Sequence, residues 1–92
     1  MGALNVFTYT LTNDSLTIVA SDNVVRISIV CDSGTINVQG NALFHGLSST
    51  AVDFAVGQGI TLTSPTVQNP IDGVTIDASG SGNAADIVIS YQ

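Results

Sequence analysis

Apolar and polar residues alternate along eight short stretches of this chain. Phe7, Tyr9 and Leu11 interleave with Thr8, Thr10 and Thr12, and Ile87, Ile89 and Tyr91 interleave with Asp86, Val88 and Ser90. A period of two sends successive side chains to opposite faces of a strand. The pattern therefore predicts an almost wholly β chain. Strands are expected over residues 4–12, 16–20, 24–31, 35–39, 51–56, 60–63, 74–78 and 86–91, with a bulge where Val6 and Phe7 stand side by side.

Turn chemistry separates these runs. Asn13-Asp14-Ser15, Ser21-Asp22-Asn23 and Asp72-Gly73 carry short polar side chains that bond nearby backbone. Asp32-Ser33-Gly34 predicts a three-residue hairpin loop, with glycine at the position that needs positive φ and residues 35–39 as the antiparallel return. Residues 40–50 lose the period and predict a long loop or a single helical turn. Pro65 and Pro70 confine their stretch to loop or edge, because proline donates no ladder hydrogen bond. Ser79 to Asn83 predicts a flexible turn. Short strands with turn signals at this spacing predict one antiparallel β-sandwich or jelly roll filling residues 1–92.

Composition sharpens this picture. The chain has no lysine and no glutamate, and seven aspartates against one arginine give a net charge of −6. Nucleic acid and anionic membrane surfaces are disfavoured as partners, since both are held by several cations. No apolar run reaches bilayer-spanning length, and no basic region followed by an apolar block opens the chain. The Met-Gly start lacks the Ser or Thr that myristoylation expects, since Val6 stands there. A domain of this size buries only about 60–65% of its unfolded surface, and oligomerisation is one common reinforcement. Cys31 is the only cysteine, so no internal disulfide forms. It closes the run Val25, Ile27, Ile29, Cys31 and reads as a buried thiol.

Catalytic groups are scarce. His45, between Phe44 and Gly46, is the only imidazole, and no G-x-S-x-G elbow accompanies it. Asp14, Asp22, Asp32 and Asp72 fall in turns; Asp53, Asp77 and Asp86 fall within or beside strands, opposite the apolar residues. No calcium-loop motif joins them, although a calcium site shared between loops or subunits stays open. No catalytic residue, metal site or cofactor is expected.

Surface chemistry points elsewhere. Val19, Val24, Val30 and Val88 are expected opposite the core face, and together they make an apolar patch on neighbouring strands. The competing reading buries both faces inside one sandwich. Arg26 shares that outer face. As a lone cation it is expected to pair with a carboxylate, either within the chain or across a subunit boundary. Val19, Val24, Arg26, Val30, Val88, Phe44 and His45 are thus the candidate interface residues.

The spacing GTINVQG … AVGQGITLTSP … DGVTIDASG, followed by a terminal apolar strand, resembles a jelly roll of the cupin kind. The cupin metal motif needs two histidines and a glutamate, and this chain has one histidine and no glutamate. The segments RISIVCDSGTINVQG and AVGQGITLTSP … DGVTIDASG also resemble small virion proteins of tailed bacteriophages, of the decoration, cement or head-fibre type. That resemblance implies a non-enzymatic virion protein: a homotrimer that binds a capsid or other virion protein and stabilises the shell. The alternative expectation is a small ligand- or glycan-binding β module with its pocket near Phe44 and His45.

Overall fold

The computed structural model describes residues 5–40, 51–64 and 69–91. Eight strands form in chain order: β1 (Asn5–Thr12), β2 (Ser15–Ile18), β3 (Val24–Ser33), β4 (Thr35–Gln39), β5 (Val52–Ala55), β6 (Gly59–Thr63), β7 (Val74–Asp77) and β8 (Ala84–Tyr91). They make two antiparallel four-stranded sheets. Sheet A has the order β1-β8-β3-β6, and sheet B the order β2-β7-β4-β5. The strands pair as first with last, second with seventh, third with sixth and fourth with fifth. This is a chain folded in half and rolled, the arrangement of a jelly roll.

Alternation decides which side of each strand is buried. In sheet A one inner row runs Phe7–Ile89–Ile27–Leu62, and the next runs Tyr9–Ile87–Ile29–Ile60. Sheet B answers with Ile36, Val38, Val74 and Ile76, and Ile71 joins from the segment before β7; all five are fully buried. β-branched residues suit this role because they fit a pleated, half-buried surface. Each such side chain contributes about 1.5–3 kcal/mol on leaving water. Cys31 is buried as expected, its thiol donating to the Gly34 carbonyl at 3.4 Å.

The connections differ most from the sequence reading. Asp32-Ser33-Gly34 does not close a hairpin, because β3 lies in sheet A and β4 in sheet B. A register shift between Cys31 and Ser33 bends β3 at its end, and Gly34 at φ 68° turns the chain across to the other sheet. Such irregularities are how strands turn corners between packed sheets. Among the described residues, β4 and β5 are the only successive strands that pair. β1 runs in unbroken register with β8, so no bulge forms at Val6 and Phe7.

Asn83 ties three of these crossings together. Its carbonyl Oδ1 accepts from Thr35 N–H at 3.1 Å, its Nδ2 donates to the Ser79 carbonyl at 2.8 Å, and its backbone carbonyl accepts from Asn13 N–H at 3.1 Å. The Ser79–Asn83 stretch, expected as a flexible turn, is thereby an anchor for the β1–β2 turn and the β3–β4 corner.

Candidate assembly surface

The outer face of sheet A is built by the other half of each alternating strand. Three rows cross all four strands in the order β1, β8, β3, β6. They are Val6–Ser90–Arg26–Thr63, then Thr8–Val88–Ser28–Thr61, then Thr10–Asp86–Val30–Gly59. Hydroxyls and small apolar groups dominate. Ser28 and Thr61 share a hydroxyl hydrogen bond at 3.0 Å, and Thr10 donates to Asp86 Oδ1 at 3.0 Å. These cross-strand bonds hold short side chains close to the sheet.

Two of the four expected valines belong here. Val30 is 41% exposed and Val88 40% exposed, on adjacent strands, and Val6 at 65% adds a third apolar position. Val24 does not belong. A register shift between Val24 and Arg26 reverses its direction, so it is buried at 3% and packs in the core. A single extra residue in one strand moves every earlier side chain to the opposite face. Val19 is exposed but lies elsewhere, at the entry to a 3-10 turn (Ala20–Asp22) that leads out of sheet B. Its N–H donates to Asp22 Oδ2 at 2.9 Å. Phe44 and His45 lie outside the described residues, and so does the expected pocket beside them.

Arg26 and Asp86 are the only charged residues in these three rows, one near each end. Two rows at about 3.4 Å per residue and one strand spacing of about 4.8 Å put them roughly 14 Å apart at the backbone. They cannot reach each other within one chain. Among the described residues Arg26 has no carboxylate partner, so the expected pairing inside the chain is not seen. Its guanidinium borders a shallow depression shared with Ser28, Val88 and Ser90.

The outer face of sheet B is different. Ser15–Asp77–Asn37–Asp53 forms one row and Thr17–Thr75–Gln39 the next. Two carboxylates flank an amide there with no cation in either row. Hydrogen bonds from the Ser79 side chain and backbone hold the Asp77 carboxyl below its ordinary range. Among the described residues no three His, Cys, Asp or Glu side chains gather to hold a metal.

Sequence reasoning missed a groove of about 480 Å³ where β1 and β2 part at one edge of the sandwich. Phe7, Tyr9, Leu16, Ile18 and Tyr91 line it, with Asp22 at its rim. Phe7 and Tyr9 contact each other at 5.3 Å between ring centres. Partial burial raises the Tyr9 phenol above its ordinary pKa. No local pattern signals it, because it depends on β1 and β2 belonging to different sheets.

No protein-family model, no curated protein and no solved structure matches this chain.

Proposed function

We propose that this chain is a non-enzymatic structural building block that associates with copies of itself and with a larger assembly. A virion shell is the kind of assembly its resemblance to phage decoration proteins implies, and a trimer is the copy number that resemblance implies. The observation that carries the reading is the outer face of sheet A: hydroxyl-rich and valine-bearing, with one charge of each sign in its three rows. An apolar patch rimmed by polar groups is the usual mark of a protein contact. Strand β1 supports it. The strand is an eight-residue sheet edge with no charge and no proline, and so lacks the devices that keep edges apart. Association stabilises a small domain by mass action, because the partner binds only the folded form.

Sedimentation across a concentration series tests the reading directly. Wild type is expected to associate and Val88→Asp to shift toward monomer. Copurification of the full chain from its source, with stoichiometry, then tests the larger partner.

The ligand-binding alternative is favoured by one observation, the aromatic groove between β1 and β2. Tyrosine fluorescence titration with small aromatic or glycan probes tests it. A saturable change lost in Phe7→Ala supports it, and no change with any probe removes it.

A further inference from the structure

We propose that a second copy of this chain packs against the outer face of sheet A about a two-fold axis, so that Arg26 of each copy meets the partner's Asp86. The inference rests on the self-association reading above and names its surface, its symmetry and its ion pairs.

A contact between identical surfaces must be self-complementary. This face has the required charge pattern. Its cation and its carboxylate stand near opposite ends of the three rows, too far apart to neutralise each other, and among the described residues the cation has no carboxylate partner. A two-fold axis lying in the interface and running across the strands exchanges those ends. The first row of one copy then lies over the third row of the other, and the middle rows coincide. Val88 meets the partner's Val88, and the Arg26 stem crosses the partner's Val30 on its way to the partner's Asp86.

One strand spacing, about 4.8 Å, separates Arg26 from the column that holds Asp86. An arginine side chain spans that offset. A carboxylate is met with two parallel N–H donors in the best geometry. Asp86 already accepts from Thr10 through Oδ1, which fixes its carboxylate toward the outer face.

Electrostatics selects this face over the other. Each copy carries −6, and six of the seven aspartates lie outside these three rows. Charges beyond about 8–10 Å are largely screened at physiological salt. Approach through sheet A brings together three rows of zero net charge, with exposed Asp32 just beyond them on β3, whereas approach through sheet B brings Asp53 and Asp77 toward their own copies. The rows cover roughly 20 by 19 Å, less than the ~800 Å² per partner of a standard interface. The contact is therefore weak in isolation and works where copies are held at high local concentration. Its symmetry gives even copy numbers, a dimer or a pair of trimers, and not a simple trimer.

Charge exchange tests the contact, with sedimentation of Arg26→Asp, Asp86→Arg and an equal mixture of the two. Both residues are exposed, and circular dichroism checks that each variant keeps its β signal. Each single variant places like charges opposite one another and is expected to weaken self-association at least tenfold. In the mixture both cross-copy pairs become opposite in sign, so a one-to-one heterodimer is expected to form at concentrations where either variant alone is monomeric. A mixture that stays monomeric overturns the contact. A wild-type trimer indifferent to both substitutions overturns the two-fold contact and leaves self-association standing. A wild type that stays monomeric into the millimolar range overturns both.

Discussion

The two outer faces of this sandwich have similar hydroxyl content and opposite prospects. In the three central rows of sheet A, Val6, Val30 and Val88 stand among Thr and Ser, and a single arginine balances a single aspartate. On sheet B, Asp77, Asn37 and Asp53 follow one another across the strands with no cation to offset them. Like charges opposite one another destabilise a contact, so sheet B keeps its water. This difference in charge between the faces is what the proposed self-contact rests on. Five of the seven aspartates lie in connections or on sheet B, and only Asp32 and Asp86 belong to sheet A strands.

This comparison holds only if the sheet A face is separable from the core beneath it. Val24→Asp is the severe case, since it puts a carboxylate at a buried position. It is expected to cost more than about 3 kcal/mol of stability and to unfold much of the protein in a thermal melt. If Val24→Asp instead melts like wild type, Val24 faces water and the register shift beside it is absent. Asn83→Ala loosens the crossings that hold the faces apart. It leaves Thr35 N–H and the Ser79 carbonyl without their partners, at a cost of about 2 kcal/mol, measured by urea denaturation.

Val88→Asp addresses the face itself. Self-association is expected to weaken at least tenfold, about 1.4 kcal/mol, while the melt of the monomer shifts by little. Thr75→Asp, made on sheet B, is the matched control and is expected to change association less than twofold. Equal effects from the two would erase the distinction between the faces.

The smallest effect concerns acid. The Asp77 carboxyl is held below its ordinary value of 3.8 by the hydrogen bonds from Ser79. A lowered folded-state pKa means that the unfolded chain binds more protons just below that value. The group's contribution is therefore complete above the ordinary carboxylate range and is lost as pH falls through the lowered one. Asp77→Asn is expected to be slightly less stable than wild type at pH 7, with the gap closing in paired melts as pH falls through and below the ordinary carboxylate range. A gap that persists or widens in acid would falsify the assignment.

Legibility followed the reach of each signal. Strand existence and face rest on neighbouring residues, so the alternation of Ile27, Ile29 and Cys31 against Val30 read correctly from sequence. So did the pairing of Ile87 and Ile89 against Val88. Sheet membership rests on long-range packing. Asp32-Ser33-Gly34 has the residues of a hairpin, and only the register shift at Cys31 and the anchoring by Asn83 turn it into a corner. Val24 failed for a related reason: parity carries no information about an inserted residue, and the shift before Arg26 reverses it. The groove beside Phe7 depends on two strands parting, Asn5–Thr12 from Ser15–Ile18, and no local pattern encodes that.

Sedimentation of the wild-type chain beside Val88→Asp and Thr75→Asp, from micromolar to millimolar, bears most directly on the central claim. Reversible association of wild type and of the sheet B variant, with loss in Val88→Asp, is the predicted result. A wild type that remains a single species of one chain throughout, or association that vanishes in Thr75→Asp and survives in Val88→Asp, would contradict it.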